Sequence, residues 1–189
     1  MKIPDEIPMD QAGPILCAGS TMYDPLRHWG ATSGKPMTIG IIGIGGLGSM
    51  GIKLSKALGH RVVAVSTSEA KREIAMERGA DDFVVSSDPS SVAAAKEACD
   101  LILNTVSADH QVSNYMPILA RNGTMVQLGL VTAPQIVDQI GLIRLRQSLA
   151  GSHIGGIKPT EECLELCAKH GILPEIQHIT ADQIDWAWE

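Results

Sequence analysis

The sequence predicts an α/β protein, a doubly wound parallel sheet of six strands in the order 3-2-1-4-5-6. Three observations predict it. Short aliphatic runs alternate with helical patterns about every 25 residues, the rhythm of successive βα units. The runs are apolar in their centres, which suits strands buried on both faces. Aromatic residues make up only 3% of the 189, so the core must be aliphatic, which suits strands enclosed between helices.

Residues 1–36 are rich in Pro and Gly and hold one helical stretch, Met9 to Leu26. The first strand is Thr38-Ile-Gly-Ile-Ile, ending at Gly43. Leu47, Met50, Leu54 and Leu58 then recur at helical spacing until Gly59 stops them. Arg61–Val65 is the second strand. Ser68 can cap a helix that ends near Gly79. Phe83–Val85 is the third strand, and a helix runs from Ser90 to Ala98. Asp100–Thr105 is the fourth strand, and His110 to Leu119 reads as a helix. Thr124–Leu128, a helix from Gln135 to Leu145, and Ser148–Ile154 complete the six-strand unit. Beyond Pro159, Glu161–His170 is a helix stopped by Gly171. Glu175–Ile179 is a candidate strand, and Ala181–Trp188 begins a helix. The divisions expected are a lead-in segment 1–36, a nucleotide-binding domain 37–157 and a return segment 158–189.

The apolar fraction of 44% is that of a globular chain, and the net charge of −6 argues against nucleic acid as the main partner. No apolar run reaches membrane-spanning length and no signal pattern opens the chain, so no membrane partner is expected. Cys17, Cys99, Cys163 and Cys167 form no CxxC pair or disulfide framework, which points to a reducing cytoplasm.

Gly43-Ile-Gly45-Gly-Leu-Gly48 fits G-x-G-x-x-G. The spacing alone is weak, but this copy ends a strand, opens a helix and lies in the first βαβ unit. Gly43 permits the turn. Gly45 admits a pyrophosphate where a Cβ would block it, and Gly48 lets helix and strand pack closely. The helix start at Gly46 and Leu47 offers free N–H groups and partial positive charge. This is the dinucleotide loop of a Rossmann fold, with the ligand crevice between strands 1 and 4.

A carboxylate at the tip of the second strand would hold the ribose hydroxyls of NAD. Here the tip reads Val65-Ser66-Thr67-Ser68, with no carboxylate before Glu69. Hydroxyls and a cation suit a 2′-phosphate. Ser66, Thr67 and Lys71, with Arg72 in addition, therefore point to NADP(H). The plainer alternative is that Ser68 only caps its helix while Lys71 and Arg72 are solvated.

Several stretches in series resemble one family. They are Lys2-Ile-Pro-Asp, Ala12-Gly-Pro-Ile-Leu-Cys-Ala-Gly-Ser-Thr-Met-Tyr-Asp-Pro-Leu26, the glycine loop, Ser66-Thr-Ser-Glu-Ala-Lys-Arg72, Gly79-Ala-Asp-Asp82 and Gly151-Ser-His-Ile-Gly155. The chain resembles the zinc-type alcohol dehydrogenases of the medium-chain dehydrogenase/reductase superfamily, in particular the cinnamyl alcohol dehydrogenase branch. The resemblance implies hydride transfer between NADPH and an aldehyde, with a zinc ion as Lewis acid. It makes Cys17 the third ligand of that zinc. It places Thr21 near the nicotinamide end of the cofactor, Thr105 and Val106 beside the nicotinamide ribose, and Leu130, Ser152, His153 and Ile154 near the ring and its amide. His153 departs from the aromatic residue of the family pattern.

By composition alone, Cys17 fits core packing better than metal ligation. A catalytic zinc needs three protein ligands, and nothing before Cys17 supplies the others. The chain therefore reads as part of a larger reductase, expected to bind NADP(H) without zinc and without turning over alcohols. The resemblance also implies a homodimer formed along the sixth strand. Two other readings stay open: a zinc-free quinone-type reductase, and a non-catalytic NADP(H)-sensing or dimerisation module.

The remaining candidates have structural explanations. Cys163 and Cys167 share a helix face with Leu164 and Ala168 and read as core. Glu161, Glu162 and Glu165 suit the positive end of their helix. Asp81 and Asp82 mark a turn. His28, His60, His110, His170 and His178 read as surface or capping residues.

Overall fold

The computed structural model describes residues 1–188. Six parallel strands form one sheet: β1 (Thr38–Ile42), β2 (Arg61–Ser66), β3 (Asp82–Val85), β4 (Cys99–Asn104), β5 (Leu119–Gln127) and β6 (Ser148–Gly151), in the order β3-β2-β1-β4-β5-β6. The expected topology is the observed one. Order reverses at β1, whose neighbours are β2 and β4.

Side chains alternate between two cores, as a pleated strand demands. Ile39, Ile41, Val62, Ala64, Leu101 and Leu103 enter one. Ile42, Val63, Val65, Ile102 and Met125 enter the other. Each buried Ile, Leu, Val or Met side chain among them contributes about 1.5–3 kcal/mol of transfer free energy. The first core is closed by the N-terminal helices α1 (Met9–Pro14) and α2 (Ser20–His28), by α3 (Gly46–Ala57) and α4 (Arg72–Glu77), and by the long helix α7 (Ile157–His170). The second lies under α5 (Pro89–Ala94) and α6 (Gln139–Leu145). A short α8 (Ile184–Trp188) follows on the surface, with Trp186 and Trp188 exposed.

The predicted helix Met9–Leu26 is broken by a π-helical turn, Ile15–Gly19, which carries Cys17. The Ser20 N–H reaches back to the Ile15 carbonyl across it. Helix α2 is tied to α7 by polar contacts between residues 135 and 140 positions apart in sequence. Ser20 Oγ lies 2.7 Å from Thr160 Oγ1, and Arg27 Nε donates to Glu162 at 2.6 Å. Burial, reinforced by Glu162, pushes the Tyr23 phenol up to about 12.

The structure corrects several local expectations. No α-helix spans His110–Leu119; two 3₁₀ turns, Val112–Asn114 and Met116–Ile118, take its place. Pro117 lacks an N–H and its ring would strike the carbonyl four residues back. Strand β5 begins at Leu119, five residues before the predicted start, because Asn122 adopts positive φ and lets the register slip between Cys99 and Leu101. Glu175–Ile179 joins no ladder, and β6 ends at Gly151. Helix α6 starts at Gln139, where Asp138 accepts the capping bond from Ile140 N. Helix α7 opens at Ile157, so Glu161, Glu162 and Glu165 lie beyond its first turn. Cys163 and Cys167 are fully buried in the core, as their spacing suggested.

His60 is not a surface residue, being 2% exposed. Its Nε2 lies 2.8 Å from the Ala31 carbonyl, and Met37 N donates to its Nδ1 at 3.2 Å. With Nδ1 accepting from Met37, Nε2 is the nitrogen that donates to the Ala31 carbonyl. The ring staples the segment between α2 and β1 to the start of β2. Replacing it leaves a void and an unpaired carbonyl, so His60→Ala should lose about 2–3 kcal/mol in urea unfolding. An unchanged midpoint would show that the staple bears no load.

Candidate dinucleotide site

Register places the C-terminal ends of the strands in one row. Ile42 pairs with Val65 and Asn104, Asn104 with Gln127, and Gln127 with Gly151. Gly43, Ser66, Thr105 and Ser152, one residue further on in each case, therefore share one edge of the sheet. In doubly wound sheets this edge, at the reversal of strand order, is where ligands bind.

The glycine loop sits at the centre of that edge. Gly43 has φ +90°, a conformation that L side chains rarely adopt. A Cβ on Gly48 would lie 1.8 Å from the Gly43 carbonyl oxygen, an impossible contact. A Cβ on Gly45 or Gly46 would meet nothing within 4 Å. Two glycines are thus needed by the fold, and two leave open space in front of the helix start. That open space, with the unpaired N–H groups of the first turn of α3, fits a pyrophosphate.

Next to the loop is a cleft of about 310 Å³, lined by Ile44, Gly45, Gly46, Lys71 and Arg78 among others. Thr67, Ser68 and Lys71 are exposed, and Ser66 is half-buried. Ser68 Oγ accepts from Ala70 N at 3.3 Å, so capping takes place as expected. Lys71 has no ion-pair partner among the described residues. Glu69, the one carboxylate at this tip, is held by Arg72, whose Nη2 donates at 3.1 Å. The paired guanidinium holds the Glu69 carboxyl below its ordinary range. Arg72 also lies 4.9 Å over the Phe83 ring. It is therefore engaged on its own helix, while Lys71 is free.

At the other end of the edge, Thr105 Oγ1 donates to the Ile42 carbonyl at 2.8 Å, and Val106 packs against Gly43. Leu130 is exposed, and its N–H donates to Ser107 Oγ at 3.2 Å. Ser152 N donates to the Gln127 carbonyl at 3.1 Å, and Ser152 Oγ to Asp24 at 3.4 Å. His153 and Ile154 are exposed beyond it, and Thr21 is half-buried on α2.

Two groups here were not anticipated from the sequence. Asn104, fully buried, donates through Nδ2 to Gln127 Oε1 at 2.8 Å and lies 2.8 Å from His110 Nε2. A polar residue closing the run Leu101-Ile-Leu was the available signal. The second group is Arg78, Glu175 and Lys53. Arg78 Nε donates to Glu175 at 3.0 Å, and Lys53 Nζ to the same carboxylate at 3.2 Å and to the Leu173 carbonyl at 2.9 Å. No local pattern announces a pair 97 residues apart.

Cys17 is exposed on the π turn. Among the described residues, no three His, Cys, Asp or Glu side chains are grouped to hold a metal ion. A zinc site needs three protein ligands, so these residues by themselves do not fit zinc.

The sheet order and the glycine loop define a Rossmann-like α/β fold. A family described as zinc-binding dehydrogenase matches residues 46–169, and the chain belongs to that family. It is 46% identical over 189 residues to an NADP-dependent alcohol dehydrogenase C of Mycobacterium bovis, covering 100% of this chain and 54% of that protein. It is 50% identical over 177 residues to the aldehyde reductase YahK of Escherichia coli, covering 93% and 50%. A cinnamyl alcohol dehydrogenase structure from Sorghum bicolor superposes with a TM-score of 0.94 at 33% identity, covering 99% of this chain and 53% of that one. The chain spans about half the length of the curated relatives it matches.

Two predictions follow from this geometry. Gly48→Ala should destabilise the fold by at least about 1–3 kcal/mol, since backbone cannot yield as a side chain does. Gly45→Ala should stay within about 1 kcal/mol of wild type, the cost of an N-cap change. Equal melting temperatures for the two variants would contradict the contacts described. The second concerns acid. Arg78 bonding holds the Glu175 carboxyl below its ordinary 4.5. Its contribution to stability is present above 4.5 and is lost as pH falls through the lower folded value. The gap in urea midpoint between wild type and Glu175→Gln should therefore close on acidification below 4.5. A constant gap would contradict the pairing.

Proposed function

We propose that this chain is the NADP(H)-binding part of a zinc-dependent alcohol dehydrogenase that interconverts an aldehyde and its alcohol. The observation that carries the reading is the tip of β2. There Ser66, Thr67 and Ser68 present hydroxyls and, beside the glycine loop, Lys71 a cation with no ion-pair partner among the described residues, while Arg72 occupies the carboxylate of Glu69. A 2′-phosphate finds donors and positive charge there. The ribose of NAD finds no acceptor of the usual kind.

In this reading the α3 start holds the pyrophosphate, with Gly46 and Leu47 donating. Thr105 and Val106 border the nicotinamide ribose, and Thr21, Leu130, Ser152, His153 and Ile154 surround the ring. NADPH, when bound, supplies the hydride. The domain proper is 37–157, with 1–36 and 158–189 leading from and toward a second domain. Cys17 is the residue offered to the zinc of the longer protein, whose other ligands belong to that second domain. The names of the relatives, an alcohol dehydrogenase and an aldehyde reductase, support the substrate class. Four free cysteines suit a cytoplasmic setting, and no helix among the described residues is long and apolar enough to cross a membrane.

The uncovered edge of β6 and the exposed Ile140, Ile143 and Leu149 beside it support pairing with a second copy of the chain. Sedimentation velocity should show a dimer at micromolar concentration and a monomer for Ile143→Glu. A wild-type monomer would refute the pairing.

The central test is calorimetric titration of the 189-residue chain with NADPH and NADH. NADPH should bind at least about tenfold more tightly, and Lys71→Ala should erase most of the difference, as loss of a charge-assisted contact implies. Equal affinities in the wild type would refute the assignment. Steady aldehyde reduction by this chain alone would refute the need for the second domain.

A further inference from the structure

We propose that Arg78 is a positioning residue for the phosphate loop, acting through Ser49 and aimed by Glu175. The inference rests on the reading of the glycine loop as a pyrophosphate site. Arg78 stands where α4 ends, remote from the loop in sequence. Its side chain is only 11% exposed. Nη1 donates to Ser49 Oγ at 2.6 Å, and Ser49 Oγ donates in turn to the Gly45 carbonyl at 2.5 Å. The Ser49 N–H donates to that same carbonyl at 2.9 Å.

The Gly45 carbonyl is the first acceptor of α3. Its orientation sets the peptide plane that leads into the N–H groups of Gly46, Leu47 and Gly48, the groups that face a pyrophosphate. Ser49 has one hydroxyl proton, which goes to Gly45. A cation donating into the same hydroxyl fixes its rotamer and strengthens its donation. Glu175 grips Arg78 with both carboxylate oxygens and so fixes the guanidinium plane. Lys53 holds the segment that carries Glu175 by its bond to the Leu173 carbonyl. The return segment is thereby connected to the phosphate loop through three side chains.

Arg78 and Lys71 line the same cleft but act on different parts of a dinucleotide. Lys71 faces the group that distinguishes NADP from NAD. Arg78 acts on the loop that both share. Loss of the relay should therefore weaken both cofactors by the same factor, whereas loss of Lys71 weakens NADPH alone.

The experiment is calorimetric titration of the 189-residue chain with NADPH and, separately, with NADH. It compares wild type, Ser49→Ala, Ser49→Thr, Arg78→Met and the Ser49→Ala/Arg78→Met double variant, each checked for its melting temperature. Ser49→Ala and Arg78→Met should each raise both dissociation constants about fivefold, the size of one net hydrogen bond. The double variant should be little worse than either single one, because the two residues act in series. Ser49→Thr, which keeps the hydroxyl, should stay near wild type. Ser49→Ala decides the matter even if Arg78→Met fails to fold. Unchanged affinities alongside a lowered melting temperature would reduce the cluster to a structural brace and overturn the proposal. A loss confined to NADPH would also overturn it, by making Arg78 a 2′-phosphate contact. If the wild type binds neither dinucleotide, the underlying reading fails and the relay with it.

Discussion

The contact on which the rest depends is the approach of α3 to the end of β1. Gly48 sits so close to the Gly43 carbonyl that a single methyl would overlap it. That approach lets a helix turn directly out of a buried strand, with its N-terminus at the sheet edge. The strands on either side then end at the same level, and their following residues open onto one crevice. The first core also relies on it, since Met50 and Leu54 of α3 pack there beside Ile41. The demand is geometric and local, which is why glycine stands at those places in the chain.

Architecture was legible because its physical signals are local. Continuous aliphatic runs such as Leu101-Ile-Leu, and stops such as Gly59 and Gly171, both with positive φ, express single-segment constraints. Sequence and structure part where tertiary context decides. The apolar spacing of His110–Leu119 suits a helix, but two 3₁₀ turns satisfy it as well, and Pro117 tips the balance. Glu175–Ile179 has the composition of a strand, but it joins no ladder of the sheet. Glu175 serves an ion pair instead.

The site divides in the same way. The glycine loop and the hydroxyl-rich tip of β2 are continuous in sequence, and their chemistry could be read from residue type and order. The Asn104–His110–Gln127 contacts and the Arg78–Glu175 pair could not. Each joins segments whose proximity is a product of the fold. The separate behaviour of Lys71 and Arg72 was equally invisible in sequence, since two adjacent cations look alike until one is found paired with Glu69 and laid over Phe83.

The two edges of the sheet are protected unequally. Edge strand β3 begins with Asp82, which pairs with Arg61 of its neighbour. Charges of this kind discourage the addition of a foreign strand. Strand β6 reads Ser148-Leu-Ala-Gly151, with no charge and no proline, and its backbone is unpaired on one side. A bare edge of that composition is a template for indiscriminate strand addition and aggregation. A surface that covered β6 would remove that hazard without any change in internal packing.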